Sequence, residues 1–247
     1  MSYIEVDRLS FGYEKNKLVL NDLSCAFEQG RVIALLGRNG SGKSTFLDCL
    51  MGANDYQGTI RIDGNDIKTL SSRAFAKAVA YIPQSSQINI DYTIEDFVSF
   101  GRNPHISFGA SPSKEDWEIV RQSLERCGIS DLTKKSINKV SGGERQLAFI
   151  ARALAQESPV IVMDEPTAAL DFGNQQKLFR IITSLSKEEG KTILFTTHNP
   201  NHLLHIDCDV FSVGNGKIEP IAQLTKEVVE RIYGDQFEFD GPSFLFK

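Results

Sequence analysis

Gly37-Arg38-Asn39-Gly40-Ser41-Gly42-Lys43-Ser44 is the stretch that decides the fold of this chain, because it fits the pattern G-x-x-x-x-G-K-[ST]. The apolar run 32–36 before it predicts a buried strand, and the run 45–51 after it predicts a helix. Glycines let the backbone turn tightly and approach a ligand without a Cβ in the way. The loop amides and the start of the helix are therefore expected to form a concave site for an anion.

Two further positions give this anion site its predicted chemistry. Lys43 supplies a cation for the outer phosphates of a nucleotide, and Ser44 offers a hydroxyl to Mg²⁺. Later in the chain the apolar run 160–163 predicts a strand that ends in Asp164 and Glu165. In phosphate-loop enzymes such an aspartate helps to hold Mg²⁺. The next carboxylate, Glu165, can then polarise an attacking water.

Composition limits the remaining possibilities. The chain has 247 residues and a net charge of 27 − 32 = −5, so no basic field favours nucleic acid as a partner. No apolar run approaches the ~20 residues that cross a bilayer, and the N-terminus lacks the pattern of a signal peptide. We therefore expect a cytosolic chain with any membrane role exerted through a partner. The four cysteines are scattered, which favours small buried hydrophobic residues over metal ligands or disulfides.

The order of predicted elements indicates an α/β fold built on a phosphate-loop core. Short strands in the first part predict an antiparallel β region, and strands alternating with helices after residue 158 predict a mostly parallel sheet. Residues from about 85 to 157 read as helices only and predict an inserted helical subdomain. We thus expect one domain over 1–247, with its α/β core at 1–84 and 158–234. A Phe-rich tail at 235–247 is expected to pack on that domain.

Helix-capping residues and apolar spacing place three helices in the helical subdomain. Thr93 and Ser113 are predicted caps, and the second of these helices is expected to run to Cys127. A third helix is expected after Ser141. The 3, 4, 3 spacing in the second helix predicts an inward face made by Trp117, Val120, Leu124 and Cys127.

A second specific signal lies at Ser141-Gly142-Gly143-Glu144. Ser141 can cap the following helix, while the two glycines expose the amides at its start and so predict a second anion site. With this motif, the sequence resembles the ATP-binding cassette (ABC) ATPases, whose signature normally reads Leu-Ser-Gly-Gly-Gln. Here it reads Val-Ser-Gly-Gly-Glu, in which the glutamate is a common variant.

The resemblance covers nearly the whole chain and assigns further expected roles. Tyr13 matches the aromatic residue that stacks on adenine, and Gln84 matches the glutamine that touches Mg²⁺ and reports nucleotide state to the helical subdomain. Asp171 lies in a match to the dimer loop, and His198 matches the switch histidine that contacts the γ-phosphate. The expected catalytic residues are thus Glu165, His198 and Gln84, and the expected Mg²⁺ ligands are Ser44, Gln84 and Asp164. The expected nucleotide-binding residues are Tyr13, Gly37, Arg38, Asn39, Gly40, Ser41, Gly42, Lys43, Ser44 and Thr45.

The same resemblance implies how the two anion sites work. In this family ATP and Mg²⁺ are bound between two subunits, with the phosphate loop of one facing the signature of the other. It therefore implies a homodimer of ATPase subunits, two integral membrane permease subunits and, indirectly, a substrate-binding protein. The expected location is cytoplasmic, on the inner face of the membrane.

The segment ending in Gly101-Arg102-Asn103-Pro104-His105 resembles ATPases of bacterial importers for iron–siderophore, haem and cobalamin, and related molybdate importers. Pro104 is predicted to end a helix and to leave Arg102 and His105 free to reach outward to a membrane subunit. One alternative is the ATPase of an exporter or extraction system. Another is a soluble cassette protein that is not coupled to transport.

Overall fold

In a computed structural model, residues 2–14, 17–84, 91–234, 237–239 and 243–246 are described. The chain divides into two units, one formed by Met1–Leu70 with Thr192–Lys247 and the other by Ser71–Lys191. The strands are β1 Ser2–Phe11, β2 Leu20–Glu28, β3 Val32–Leu36, β4 Gln57–Ile62, β5 Asn65–Asp66, β6 Val79–Ile82, β7 Val160–Met163, β8 Thr192–Thr197, β9 Asp209–Gly214, β10 Lys217–Ile221, β11 Phe237–Phe239 and β12 Phe244–Phe246. The helices are α1 Lys43–Leu50, α2 Ser72–Ala78, α3 Ile94–Ser99, α4 Lys114–Cys127, α5 Gly142–Ala155, α6 Phe172–Lys187 and α7 Lys226–Tyr233.

The first unit contains an antiparallel sheet and a mostly parallel one. The antiparallel sheet has the order β2-β1-β4-β5. In the other, β3 pairs in parallel with both β8 and β9, and β10 joins β9 in antiparallel fashion. Every residue of β3 is buried, as expected for a parallel strand that is covered on both faces. This strand delivers the chain to Gly37, so its burial fixes where the glycine-rich loop begins.

The second unit combines the parallel pair β6 and β7 with helices. In the described residues from 91 to 157 all the regular elements are helical, namely α3, α4, α5 and two short 3₁₀ turns. The predicted caps are present, because the Thr93, Ser113 and Ser141 hydroxyls each accept a hydrogen bond from the amide three residues later. The α/β fold class with an N-terminal antiparallel part and a helical insertion is thus confirmed.

Some local expectations differ from the structure. Val120, Leu124 and Cys127 are buried on α4 as predicted, but Trp117 is 39% exposed, because it lies in the first turn of the helix where less protein covers it. Strand β10 and helix α7 were not predicted from the sequence. The subdomain limits at 85 and 157 and the packing of the tail stay predictions. Residues 85–90, 235–236, 240–242 and 247 lie outside the described part, as do the side chains of β11 and β12.

All four cysteines are free thiols. Cys49 and Cys127 are buried, and Cys25 and Cys208 are half-buried. Burial is the first cause that raises each pKa, to about 11 for Cys49 and to about 12 for the other three. The thiols are therefore protonated and poorly reactive near neutral pH, as expected of small buried hydrophobic residues.

Candidate functional site

The glycine-rich loop joins β3 to α1 in the first unit, and its glycines meet specific steric demands. A Cβ at Gly37 would lie 2.6 Å from the Val213 carbonyl oxygen and 2.7 Å from the Ser41 hydroxyl. Gly42, the N-terminal cap of α1, has φ of 101°, which L side chains rarely adopt. Gly42 provides no side-chain cap, and the first turn of α1 contains no acidic residue. The start of this helix therefore keeps the positive end of its dipole available to an anion.

Lys43 lies inside the curve of this loop. It is only 5% exposed, and its Nζ donates to the carbonyl oxygens of Gly37 at 2.8 Å and Arg38 at 3.0 Å. The ammonium group is thus held against the loop whose amides would surround a phosphate. The next residue, Ser44, is exposed, so its hydroxyl is accessible at the first turn of α1.

Tyr13 is placed beside the same helix. Its ring is 67% exposed and packs edge-on against Phe11 with ring centroids 5.1 Å apart. The Tyr13 hydroxyl lies 3.3 Å from Thr45 Oγ1, on the first turn of α1. A large exposed aromatic face next to a phosphate loop can stack on a planar base.

Strand pairing places His198 near the start of this loop. Thr197 pairs with Leu36 at the ends of β8 and β3, and the Gly37 amide donates to the Thr197 carbonyl oxygen at 3.3 Å. His198 follows directly, and its side chain is exposed. The first unit therefore brings together Tyr13, the phosphate loop and His198, which are far apart in sequence.

Polar groups hold the segment after His198. The Thr197 hydroxyl lies 3.0 Å from His202 Nδ1 and accepts a hydrogen bond from the Asn199 amide at 3.1 Å. Burial, followed by the charges of His198 and His205, lowers the pKa of His202 to about 4. His202 is therefore neutral near pH 7 and able to pair with a hydroxyl. His202 was not predicted from the sequence, since a histidine in a short 3₁₀ turn matches no motif.

In the second unit, the end of β7 presents two carboxylates. Asp164 is 5% exposed, and its amide donates to the Ile82 carbonyl oxygen at 2.8 Å. Glu165 is half-buried and has a positive φ of 44°, a strained backbone for a residue with a side chain. Gln84 Nε2 donates to Glu165 Oε2 at 3.1 Å, so the structure brings these two predicted catalytic side chains into contact.

The signature residues occupy the start of α5. Ser141 Oγ accepts from the Glu144 amide at 3.2 Å, and Glu144 Oε2 accepts from the Ser141 amide at 2.8 Å. The hydrogen bonds from Ser141 lower the pKa of Glu144. A Cβ on Gly143 would lie 3.3 Å from the Ala169 carbonyl oxygen, which leaves little room there for a side chain. The helix start is thus capped by its own residues and lies against the loop before α6.

Asp171 in that loop is the N-terminal cap of α6. Its Oδ1 accepts from the Asn174 amide at 2.8 Å, and its Oδ2 accepts from Asn174 Nδ2 at 3.1 Å. The loop and the signature helix are therefore part of one local structure within this unit. The predicted dimer-loop residue has a structural role here as a helix cap.

The expectation that Arg102 and His105 reach outward is wrong. Arg102 is 5% exposed, and its guanidinium donates to Asp116 at 2.9 Å, to the Ala155 carbonyl oxygen at 2.8 Å and to Glu157 at 2.7 Å. His105 Nε2 lies 2.9 Å from the Gln156 carbonyl oxygen. Both side chains turn inward because the end of α5 offers them carbonyl groups that would otherwise lack partners. Asn103 between them is exposed.

The predicted Mg²⁺ ligands are chemically suited to that ion. The Ser44 hydroxyl, the Asp164 carboxylate and the Gln84 amide all provide oxygen, which is the ligand atom that Mg²⁺ prefers. Mg²⁺ in nucleotide sites is usually held by one or two carboxylates together with phosphate oxygens and water. Each of these residues is therefore of a type that suits Mg²⁺.

Comparison with known proteins identifies relatives of this chain. A family model described as "ABC transporter" matches residues 20–168. The molybdate import ATP-binding protein MolC of Haemophilus influenzae is 34% identical over 82% of this chain and 76% of MolC. The petrobactin import ATP-binding protein YclP of Bacillus subtilis is 34% identical over 93% of this chain and 92% of YclP.

A solved structure agrees with these relatives. A chain of an inward-facing ABC transporter assigned to the metal-chelate type superposes with a TM-score of 0.82. The two chains are 30% identical, and the match covers 99% of this chain and 96% of the other. In the described part of the present chain, no helix is long and apolar enough to cross a membrane.

Proposed function

This chain belongs to the ABC transporter family and is an ATPase, and from that premise we propose that it drives the import of a metal chelate through partner membrane subunits. Supporting this are relatives named for molybdate and petrobactin import and the likeness to a metal-chelate-type transporter. The Gly101–His105 run, which resembles importers of this class, also supports it. The proposed location is the inner face of the cell membrane, bound to the membrane subunits.

The main support for the proposed nucleotide site is the phosphate loop. In our proposal a nucleotide's phosphates occupy the curve made by Gly37 to Gly42, where the uncapped start of α1 and the buried Lys43 ammonium favour negative charge. Tyr13 stacks on the base. Ser44, Asp164 and Gln84 would hold Mg²⁺, which when bound neutralises charge developing on the phosphates. His198 contacts the terminal phosphate.

Glu165 is the proposed group that orients and polarises the attacking water. Its contact with Gln84 at 3.1 Å supports a link between the two residues. If Gln84 gives up that contact when nucleotide binds, it would be free to change position. The state of the nucleotide would then alter the glutamine loop, whose continuation at 85–90 lies outside the described residues.

We place a second copy of this chain opposite the phosphate loop, with Ser141 to Glu144 facing the nucleotide. The capped start of α5, with its two glycines, offers amides to a phosphate that is already held by another subunit. Asp171 lies in the proposed seam between the copies. In this arrangement each site needs Lys43 of one copy and Ser141 of the other.

A mixed dimer tests this arrangement. One subunit carries Ser141→Arg and the other carries Lys43→Ala. A head-to-tail pair then retains one intact site and hydrolyses ATP, whereas a homodimer of either variant retains none. A matched control replaces Ser141→Arg with Ser113→Arg, which breaks the same kind of capping box on α4. Absence of turnover in the first mixed dimer, with turnover in the control, contradicts the head-to-tail proposal.

Coupling to a membrane subunit is tested by crosslinking. Asn103 is exposed on the second unit, whereas Ser99 is buried and donates to the Asp96 carbonyl oxygen, so Asn103 is the better position for a cysteine. An Asn103→Cys variant is expected to crosslink to a cytoplasmic loop of a membrane protein, with a yield that changes on adding ATP. Crosslinks only to soluble proteins or nucleic acid would overturn the transporter proposal.

A further inference from the structure

The backbone at His198 is supported by a residue from the other end of the chain. His198 lies just beyond β8, where the ladder with β3 ends at Thr197. The Tyr233 hydroxyl donates a hydrogen bond to the His198 carbonyl oxygen at 2.5 Å. The two residues are 35 positions apart in sequence. Tyr233 therefore fixes the peptide that carries the exposed imidazole.

Tyr233 is itself held firmly. It is the last residue of α7 and is 6% exposed, on the same face as Val229, which is fully buried. The helix begins at the cap Thr225 and ends at Gly234, whose amide donates to the Glu230 carbonyl oxygen at 2.7 Å. A buried tyrosine ring has two side-chain torsions, so packing on α7 determines where its hydroxyl points.

The same end of α7 also lies beside the phosphate loop. A Cβ at Gly234 would come 3.4 Å from Arg38 Nη1. The C-terminal end of a helix carries partial negative charge, so the Arg38 guanidinium is favourably placed there. One helix end thus lies against both the loop proposed to hold the phosphates and the peptide of the proposed switch residue.

We propose that Tyr233 is a positioning residue for His198, acting through the hydrogen bond from its hydroxyl. This inference rests on the proposed contact of His198 with the terminal phosphate. Without the bond, the His198 peptide gains freedom and the imidazole is less often placed at that phosphate. Binding of ATP through Tyr13 and Lys43 should be unaffected, because their hydrogen bonds run to Thr45 and to the Gly37 and Arg38 carbonyl oxygens, whereas the Tyr233 hydroxyl donates to the His198 carbonyl oxygen.

The test is Tyr233→Phe in the purified chain, since phenylalanine keeps the buried ring and removes only the hydroxyl. We expect kcat for Mg-ATP hydrolysis to fall about three- to tenfold, the factor that one ordinary hydrogen bond represents. KM and calorimetric Mg-ATP affinity should stay within about twofold. Hydrogen exchange of the backbone amides of Asn199, Asn201 and His202 should become faster.

Tyr56→Phe is the matched control. Tyr56 is also a buried tyrosine in the first unit, and its hydroxyl has no hydrogen-bond partner in the described structure. This variant should leave both kcat and exchange at Asn199, Asn201 and His202 unchanged. Unchanged exchange or unchanged kcat in Tyr233→Phe would overturn the proposal, as would an equal fall in the control.

His198→Ala separates this inference from the proposed function. If His198→Ala hydrolyses ATP at the wild-type rate, the proposed role of His198 is wrong. If His198→Ala loses turnover but Tyr233→Phe keeps wild-type kcat, the role of His198 stands and that of Tyr233 falls. Coupled residues are non-additive, so Tyr233→Phe should lower residual turnover no further in the His198→Ala background.

Discussion

Replacing Arg102 by alanine is expected to destabilise the unit formed by Ser71–Lys191 by about 3–5 kcal/mol. The buried guanidinium has three partners, and the largest loss comes from Asp116, which is only 13% exposed and would remain without its cation. The Ala155 carbonyl oxygen would lose a donor in a buried position, at a cost of about 1–3 kcal/mol. Glu157 is half exposed, so its share is at most about 1 kcal/mol.

Thermal unfolding followed by circular dichroism measures this loss. A change of 1 kcal/mol shifts Tm by about 2–4 °C in a protein of this size, so Arg102→Ala should melt about 6–20 °C lower. Arg121→Ala is the matched control, because it removes the same charge from exposed ion pairs with Glu118 and Glu125 on α4. Its Tm should fall far less, since exposed ion pairs of this kind contribute little to stability.

Two results would refute this reasoning. The first is a Tm for Arg102→Ala that falls no further than that of Arg121→Ala, which would show that the buried network contributes nothing. The second is a variant that folds with wild-type stability but no longer crosslinks through Asn103→Cys. That result would restore Arg102 to a docking role in place of the internal one that its contacts indicate.

Three other changes have defined outcomes. Lys43→Ala should weaken Mg-ATP binding by about 1.5–3 kcal/mol, because a charge-assisted contact is lost, and an unchanged Kd by calorimetry would contradict this. Glu165→Gln should keep ATP binding but slow hydrolysis by ~10²–10⁴-fold and favour the ATP-bound dimer in size-exclusion chromatography; wild-type turnover would refute it. His202 has a folded pKa of about 4 against about 6.5 when unfolded, so the unfolded state binds more protons between these values and stability falls as pH drops through that window. Urea unfolding should show a loss of about 1–3 kcal/mol, after allowing for its partial exposure, and this should disappear in His202→Gln; equal pH dependence in both proteins would contradict the assignment.

Local sequence patterns determined most of the elements. The glycine-rich loop requires a turn that only glycine tolerates, and it stands between an apolar run and a helix start, so its conformation follows from nearby residues. Thr93, Ser113 and Ser141 cap helices through bonds to amides three positions away, which is also local information. The chemical types of Lys43, Asp164 and Glu165 were readable for the same reason.

What the tertiary structure alone decided were contacts between distant positions. The inward turn of Arg102 depends on the Ala155 carbonyl oxygen 53 residues later, and no periodicity in the 101–105 segment encodes that partner. Trp117 follows the apolar spacing of α4 but lies at an end of the helix that is incompletely covered. The bond from Tyr233 to His198 needs α7, an element too short to show a clear helical period in the sequence. Such partners are set by how elements pack, because burial and hydrogen bonding are satisfied over the whole fold and not within one segment.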